Sequence, residues 1–391
     1  MTLPTRTPNP FRPGFNQPPL ALAGREPILA AVREALAVAA LDARTPRPVV
    51  LTGGRGVGKT VLLGEAAIIA AEEYSWLTVP VEVRPDRPFT PYLVDRLTAA
   101  TELYRQARTS RRRMEVTGAT LRATVLGVGA ELELSRSAAA ASAPDAPRLD
   151  HTLAATIEAA LALGAGLVLT VDELQLASRS ELADLAATLQ QHVPDDWPLV
   201  VILAGLPSLR EAQRESRRAV TYLERGEWHV LGLLDAAATA EALAEPARQA
   251  GRPMTDGARG VLAEASGGYP YAIQVLGHHA WRASTGSATI EERHARAAAA
   301  SAEADLAAGL YTSRWHGASP KEQEYLAALA QLLAVHGTAG GADVARALGR
   351  TTQQVSYLRD GLIRKGTIFA EAGTLVFAVP GMADWVRSQR R

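Results

Sequence analysis

Cysteine is absent from the 391-residue sequence. Disulfides, thiolate metal sites and thiol catalysis are therefore excluded, and a reducing compartment is the natural expectation for this chain. Net charge is absent as well, because 41 basic residues balance 41 acidic ones. The molecule as a whole is therefore not an electrostatic binder of nucleic acid, and any basic surface must be local.

Apolar runs long enough to cross a bilayer are also missing. The most apolar stretch, 153–171, is broken by one glutamate and two glycines and ends at two acids. This pattern predicts a helix and then a strand, since a membrane span needs about 20 apolar residues. The first 19 residues are proline-rich and contain no apolar core of a secretory signal. We therefore expect a cytoplasmic protein without a membrane partner, and an extended or disordered segment over residues 1–20.

Lysine is rare, and one of the three lysines (Lys59, Lys321 and Lys365) lies in a recognisable motif. Residues 49–60 read VVLTGGRGVGKT, in which a β-rich apolar run ends in a glycine-rich turn and a helical pattern follows. This is the G-x-x-x-x-G-K-[ST] pattern in the strand–loop–helix setting that it requires. A chance glycine-rich turn is the alternative. The placement of a rare lysine disfavours it, because a compact ammonium on a flexible stem suits this position.

The residue types of this loop suit the binding of a nucleoside triphosphate with Mg²⁺. Glycine lets the backbone wrap closely, so that N–H groups point at phosphate oxygens, and the following helix N-terminus adds partial positive charge. Lys59 would reach the β- and γ-phosphates, and the Thr60 hydroxyl would ligate Mg²⁺. The residues that we expect around the phosphates are Gly53, Gly54, Arg55, Gly56, Val57, Gly58, Lys59, Thr60 and Val61.

A second motif, LVLTVDE at residues 167–173, places two acids at the end of a buried-type strand. Asp172 would hold Mg²⁺ against Thr60, largely through water. Glu173 would polarise the attacking water as general base, so that Glu173 and Lys59 are the expected catalytic residues. The alternative is that the acidic pair caps the next helix. Downstream of a phosphate loop, we favour the catalytic interpretation.

Strand and helix patterns alternate over about the first 230 residues and predict an α/β fold. We expect a P-loop NTPase parallel sheet with helices on both faces. The predicted strands are 49–51, 76–83, 167–171, 199–204 and 227–231. Helical patterns follow from residue 235, and the chain then shows three helical patterns and two short β-like runs, which is typical of a winged helix-turn-helix.

The predicted domains follow from these changes of pattern. They are the N-terminal segment 1–20, a nucleotide-binding core at 21–233 with an insertion at about 101–148, a helical lid at 234–310 and a winged helix at 319–391. Residues 105–113, at the start of the insertion, carry five arginines and no acid. A polyanion contact and a solvated helix face both explain this run, and the solvated face is favoured for a single short run.

The order of these motifs resembles that of AAA+ ATPases. Gly24-Arg25-Glu26 precedes the phosphate loop, and the LVLTVDE strand, the strand LVVILAGLP, the lid stretch GGYPY at 267–271 and the winged helix follow. Within that group the chain is similar to origin-recognition-type initiators and to archaeal-type and STAND ATPases. The resemblance runs from about Ala23 to the C-terminus, apart from 101–147. It implies ATP rather than GTP, Mg²⁺ as the metal, and hydrolysis to ADP and phosphate.

The resemblance also implies roles for three residues outside the two motifs. Arg25 would lie beside the adenine, and Pro270 would close over the base from the lid. Arg225, just before the fifth strand, would be an arginine finger. Arg217 or Arg218 are rivals for that role, and an ordinary surface arginine is the alternative.

Two features that the family often has are missing. Ala204-Gly205 offers no polar side chain as a sensor after the fourth strand, and the lid stretch GGYPYAIQVLGHH contains no sensor arginine. Slow hydrolysis is therefore expected, and a nucleotide-controlled switch is favoured over a fast motor.

By the same resemblance, residues 352–365 would form a recognition helix. Its expected contacts with double-stranded DNA are Gln353, Gln354, Tyr357 and Arg359. From residue 319 onward the chain has nine Lys and Arg against six Asp and Glu, a net charge of +3, which is compatible with DNA. Protein binding by a STAND-like switch is one alternative, and a nucleotide-bound scaffold with little hydrolysis is another. A homo-oligomer is a further expected partner.

Overall fold

The computed structural model describes residues 8–14, 18–117, 148–191, 193–194, 196–209, 223–371 and 373–389. The chain divides into two compact units. One, here called the sheet unit, comprises Pro27–Thr52 and Lys59–Val230. The other, the helical unit, comprises Met1–Glu26, Gly53–Gly58 and Leu231–Arg391.

A parallel sheet organises the sheet unit. Its strands are β1 (Val49–Gly53), β2 (Leu77–Glu82), β3 (Leu167–Asp172), β4 (Leu199–Gly205) and β5 (Glu227–Leu231). They lie in the order β2-β3-β4-β1-β5, and the predicted α/β class with five strands is confirmed. The register pairs Glu82 with Asp172 and Thr52 with Gly205, so β1, β3 and β4 end along one edge of the sheet.

Helices cover this sheet, as the burial of the strands requires. They are α1 (Glu26–Leu41), α2 (Lys59–Tyr74), α3 (Phe89–Thr117), α4 (Leu149–Leu161) and α5 (Arg179–Gln191), with a 3₁₀ turn at Leu174–Leu176. All residues of β1, β3 and β4 are buried, which is typical of parallel strands covered on both faces. The uninterrupted apolar sequences of these strands follow from that environment.

Helices α3 and α4 pack together within the core of the sheet unit. Leu97 and Ile157 are fully buried there, and the hydroxyls of Thr101 and Thr156 pair at 2.9 Å, which satisfies two buried polar groups. Residues 101–117, which the sequence analysis assigned to the insertion, continue α3. Arg105 forms an exposed ion pair with Glu102, as expected for a solvated face. Arg108 is exposed as well, whereas the side chains of the other three arginines of the run and all of residues 118–147 lie outside the described part of the chain.

Four helices follow β5 in the helical unit. They are α6 (Ala236–Gln249), α7 (Asp256–Ser266), α8 (Pro270–Ala283) and α9 (Glu292–Leu306), followed by a π-helical turn at Ala307–Tyr311 and the short α10 (Thr312–His316). The Asp235 carboxylate accepts from the Ala238 N–H at 2.8 Å and the Thr255 hydroxyl accepts from the Ala258 N–H, so each side chain satisfies an orphan donor at a helix start.

The N-terminal segment lies against α8. Phe11 is 1% exposed, and a Cβ at Gly277 would lie 2.3 Å from its ring, so a glycine is required at this close approach. The Asn9 amide contacts both the Nδ1 atom and the carbonyl of His278, at 2.9 and 3.2 Å. The described residues 8–14 contain no helix or strand, yet this buried ring anchors the segment.

Four helices and a hairpin form the C-terminal part of the helical unit. The elements are α11 (Pro320–His336), α12 (Gly341–Ala347), α13 (Thr352–Arg364), β6 (Ile368–Glu371), β7 (Thr374–Phe377) and α14 (Met382–Ser388). The β6–β7 pair is antiparallel. Capping boxes at Ser319 and Thr351 fix the starts of α11 and α13. In the described parts of the chain, no helix is long and apolar enough to span a membrane.

Candidate functional site

The glycines of the phosphate loop meet steric conditions that other residues cannot. Gly56 and Gly58 have φ of +78° and +99°, in the region that L side chains rarely adopt. A Cβ at Gly53 would lie 2.4 Å from the Leu231 carbonyl, and one at Gly56 would lie 2.1 Å from the Tyr269 hydroxyl. The loop therefore needs glycine both for its turns and for its neighbours.

Tyr269 packs against this loop from the helical unit. Its side chain is fully buried, and its hydroxyl donates a 2.7 Å hydrogen bond to the Arg55 carbonyl. Burial raises the pKa of Tyr269 to about 12, so the phenol is neutral and remains a donor at ordinary pH. Pro270, the residue predicted to close over the base, is the first residue of α8 and directly follows Tyr269.

Arg314 adds a buried cation to this cluster. It lies on α10 and hydrogen-bonds to Tyr269, and its Nε lacks a hydrogen-bond partner within the described residues. Burial lowers the pKa of Arg314, the neighbouring Tyr269 opposes that shift, and the Arg55 guanidinium adds to it. Sequence reasoning missed both Tyr269 and Arg314, because they lie far from residue 55 in the chain and no local pattern marks the contact.

Arg25 holds the far end of the loop. Its Nη2 donates to the carbonyls of Val57 and Gly232, at 3.1 and 2.9 Å. Burial lowers the pKa of Arg25, while the neighbouring Glu26 opposes that shift. These contacts bring Arg25 to Val57, another of the residues predicted to bind nucleotide.

Lys59 and Thr60 begin α2 directly after Gly58. Lys59 is 6% exposed, and the Thr60 hydroxyl donates to Asp172 Oδ2 at 2.5 Å. Val61 follows and is half-buried. The strand end of β3 and the first turn of α2 thus bring the two predicted metal ligands into contact within the sheet unit.

Asp172 is buried, and its surroundings have opposing effects on the pKa of its carboxyl. Burial raises the pKa of its carboxyl, whereas the Thr60 hydroxyl, the Glu173 N–H and the charge of Lys59 act in the opposite direction. The Glu173 N–H donates to Asp172 Oδ1 at 2.8 Å. The carboxylate of Asp172 and the hydroxyl of Thr60 offer oxygen ligands of the kind that a hard divalent cation prefers.

Glu173 lies just beyond the end of β3 in a left-handed conformation, with φ of +52°. Such a backbone costs a non-glycine residue about 1 to 2 kcal/mol, and strain of this kind often occurs where a side chain is aimed for function. Gln175 contacts its carboxylate, with Nε2 donating to Glu173 Oε2 at 2.5 Å. The sequence analysis did not single out Gln175.

Arg225, the predicted arginine finger, is exposed in the turn before β5. The described hydrogen bonds and ion pairs do not bring its side chain to Asp172 or Glu173, so its role stays a prediction. Its rivals Arg217 and Arg218 lie outside the described residues.

The predicted DNA-contacting residues differ in availability. Gln353 and Tyr357 are exposed on α13, and Tyr357 is 53% exposed. Gln354 is occupied, because its Oε1 accepts from the Thr351 N–H at 2.9 Å in the capping box. Arg359 is half-buried and forms an ion pair with Asp360 at 2.9 Å. The helix therefore presents two of the four side chains freely.

Comparisons with known proteins agree with this geometry. Residues 21–202 match the family model described as AAA ATPase domain, and residues 308–386 match one described as Domain of unknown function (DUF8462). A comparison with curated proteins finds no match.

Solved structures show the same fold over almost the whole chain. The Walker-type ATPase PABY2304 of Pyrococcus abyssi is 17% identical, with 94% of this chain and 96% of that one covered and a TM-score of 0.59. The Aeropyrum pernix ORC2 protein, in its ADPNP-ADP complexes, is 16% identical, with 97% of both chains covered and a TM-score of 0.61. The family match and these folds confirm the resemblance to AAA-type ATPases: residues 21–202 match an AAA ATPase domain, and the chain has a P-loop NTPase fold.

Proposed function

We propose that the protein binds ATP with Mg²⁺, hydrolyses it slowly, and uses the change of nucleotide to control its C-terminal module. The observation that carries hydrolysis is the contact of Thr60 with Asp172, with Glu173 next in sequence. A site that bound ATP with Mg²⁺ without hydrolysing it would use Asp172 for the metal and would not need Glu173. The AAA ATPase domain over residues 21–202 supports ATP as the nucleotide.

The residues present fit a magnesium ion. Mg²⁺ prefers oxygen ligands and keeps several waters, and it is usually held by one or two protein groups together with substrate phosphates. Thr60 Oγ1 and Asp172 Oδ2, which lie 2.5 Å apart, supply that pair of oxygens. When bound there, the ion would neutralise charge that develops on the phosphate oxygens.

The remaining chemistry falls to Glu173 and Lys59. Glu173 would accept a proton from a water molecule as the water oxygen bonds to the γ-phosphorus. The bond from that phosphorus to the bridging oxygen breaks, and ADP and phosphate leave. Lys59, largely buried at the start of α2, would hold the β- and γ-phosphate oxygens during the transfer.

Coupling to the C-terminal module is supported by the cluster of Arg55, Tyr269 and Arg314. All three residues belong to the helical unit, and Arg314 lies inside the region that matches the domain of unknown function. A change in the turn at Arg55 is transmitted to Tyr269 by a hydrogen bond and to Arg314 by charge. We infer that this cluster reports the state of the loop to residues 308–386.

Double-stranded DNA is the partner that we propose for this module. Gln353 and Tyr357 are exposed on α13, and Arg350 and Arg364 are exposed near its two ends. Amide and guanidinium groups contact bases and phosphates in this arrangement. The occupied Gln354 and Arg359 favour the alternative, a STAND-like switch whose module binds protein, because they reduce the polar surface that α13 offers to DNA.

Nucleotide affinity and phosphate release, measured on the full chain, test the core of the proposal. Lys59→Ala should abolish tight ATP binding. Lys321→Ala, which replaces an exposed lysine outside the site, should leave ATP affinity unchanged. Glu173→Gln should bind ATP and hydrolyse it about 100-fold more slowly or worse. The matched control is the exposed Glu158→Gln.

Three results would each remove a different part of the proposal. ATP binding that survives Lys59→Ala contradicts the nucleotide site. Wild-type turnover in Glu173→Gln contradicts the general base. Tight binding by a wild-type chain that releases no phosphate in a single-turnover assay identifies a nucleotide-bound scaffold.

Coupling is tested by hydrogen–deuterium exchange over residues 308–386 in the ADP- and ATP-bound chain. The wild type should show a nucleotide-dependent difference there, and Arg314→Ala should lose it while still binding ATP. Arg282→Ala, an exposed arginine of α8, is the control. A difference that persists in Arg314→Ala contradicts the proposed route.

A further inference from the structure

Gln175 makes two hydrogen bonds that join the acidic motif to the end of the neighbouring strand. Its Nε2 donates to Glu173 Oε2 at 2.5 Å, and its Oε1 accepts from the Leu206 N–H at 2.9 Å. Gln175 lies in the 3₁₀ turn after β3, and Leu206 directly follows β4. One amide therefore spans the ends of two adjacent parallel strands.

The chemistry of the two partners fixes the orientation of this amide. The Leu206 N–H is a donor only and requires the oxygen of the side chain, so the nitrogen must face the carboxylate. Reversal of the amide would set a donor against a donor and an acceptor against an acceptor. Gln175 is thus specified as an acceptor toward β4 and as a donor toward Glu173.

Gly205 leaves the space that Gln175 occupies. A Cβ at residue 205 would lie 2.9 Å from Gln175 Oε1 and 3.1 Å from Leu209 Cδ2. This is the position where the resemblance led us to look for a polar side chain and where the sequence has none. The structure brings a polar group to that place from the turn after β3 instead of from the end of β4.

Gln175 also acts on a residue whose backbone is already constrained. Glu173 has φ of +52°, and its N–H is fixed by Asp172 Oδ1. The backbone conformation fixes the direction in which the Glu173 side chain leaves the main chain, and the Gln175 amide fixes the position of one carboxylate oxygen. A general base must hold its geometry within a fraction of an ångström, and misplacement by about 1 Å can cost about 100-fold in rate.

We propose that Gln175 is a positioning residue for hydrolysis, which orients the Glu173 carboxylate and ties it to the end of β4. This inference rests on the proposed ATPase function. In this proposal Gln175 takes the place of the missing polar sensor, and Gly205 leaves the space that the Gln175 side chain needs. In this role Gln175 acts through the Glu173 carboxylate.

Steady-state phosphate release from the full chain, with kcat and KM measured separately, tests the inference. Gln175→Ala should lower kcat about 10- to 100-fold and leave ATP affinity within about twofold of the wild type. Gln175→Glu should lower kcat at least as much. The new carboxylate can still accept from the Leu206 N–H, but it places a second negative charge beside Glu173. Gln190→Ala, an exposed glutamine of α5, is the control.

A double-mutant series separates positioning from a general structural effect. On the Glu173→Gln background, Gln175→Ala should leave the residual rate unchanged, since the group through which it acts is gone. A further drop of the same size there, or wild-type kcat in either Gln175 variant, overturns the inference. A wild-type chain that binds ATP without hydrolysing it instead overturns the ATPase function, and the Gln175 role with it.

Discussion

The Tyr269 hydroxyl donates a 2.7 Å hydrogen bond to the carbonyl of Arg55, and this bond fastens the start of α8 to the turn of the phosphate loop. The ring lies so close to Gly56 that no side chain would fit at that residue. The lid sequence GGYPY therefore contributes its tyrosine as well as its proline. The contact lies within the helical unit, so it is a property of that unit's own packing.

Tyr269→Phe should keep the ring in place and remove this one hydrogen bond. The Arg55 carbonyl loses its buried donor, and we expect the free energy of unfolding to fall by about 1 to 2 kcal/mol. ATP affinity should fall a few-fold, because the loop turn is then less fixed. Denaturant unfolding and equilibrium ATP binding measure the two effects. Tyr357→Phe, on an exposed ring, is the control, and equal behaviour of the two variants would contradict the role of Tyr269.

Phe11→Ala should destabilise the helical unit. The ring is 1% exposed against α8, and truncation of a buried phenylalanine costs about 3 kcal/mol or more. Thermal unfolding of the full chain measures the loss. Leu20→Ala, at a leucine that is 42% exposed, should change stability by no more than about 0.5 kcal/mol. Unchanged stability in Phe11→Ala would show that the N-terminal segment does not dock on α8 in solution.

DNA binding through α13 should depend on the side chains that are free on its surface. Arg350→Ala and Tyr357→Ala should weaken binding to duplex DNA, and Arg350→Ala should also reduce the salt dependence, because a phosphate contact is lost. Arg359→Ala should change affinity less, since Arg359 is engaged with Asp360. Titrations with and without ATP at two salt concentrations measure this, with Arg282→Ala as control. Absence of binding in all four conditions would favour a protein partner.

The ion pair between the buried Glu322 and the exposed Lys365 should make the C-terminal module sensitive to acid. Burial raises the pKa of Glu322, but the hydrogen bonds from Lys365, at 2.6 Å, and from Ser319 together lower it by more. The net shift of this pKa is therefore downward. A carboxyl with a lowered folded-state pKa stabilises the fold above its unfolded pKa, and this stabilisation is lost as pH falls through the folded value. We expect the loss to begin below about pH 5.

Glu322→Gln separates this contribution from the other carboxylates. Its unfolding midpoint should lie below that of the wild type at neutral pH, and the difference should shrink as the pH falls. Unfolding by denaturant at several pH values measures the difference. Glu324→Gln, at an exposed neighbour on α11, is the control. A constant difference across the whole range would contradict the ionic origin of the effect.

The strands, the phosphate loop and the acidic motif at the end of β3 could be predicted because their sequence signals are local. Uninterrupted apolar runs mark β1, β3 and β4, and the predicted range of β5 agrees with the observed Glu227–Leu231. Helix α5 was missed although its apolar residues Leu182, Leu185, Ala186 and Leu189 recur at helical spacing, and α14 was missed because it is only two turns long. Thr60 and Asp172 could be paired from sequence, since the edge where parallel strands end is fixed by topology.

The contacts that adjust the site could not be predicted, because they join distant parts of the chain. Nothing near Arg314 indicates that it will reach Tyr269, and nothing near Asn9 indicates His278. Gln354 and Arg359 suited a DNA-facing helix by residue type, yet capping and an ion pair engage them. Residue type gives the chemistry that a side chain can perform, and packing decides which partner it has.

The close approach of Gly205 to Gln175 has a consequence for how this chain tolerates change. A side chain at residue 205 would displace the Gln175 amide from its present position, and this displacement would disturb its hydrogen bonds to both Glu173 and Leu206. The two positions are therefore coupled, and we expect a substitution at either one alone to disturb the position of the Glu173 carboxylate. A variant with serine or threonine at 205 and alanine at 175 would return the polar group to β4, and the two arrangements can be viewed as alternative solutions to the same geometric requirement.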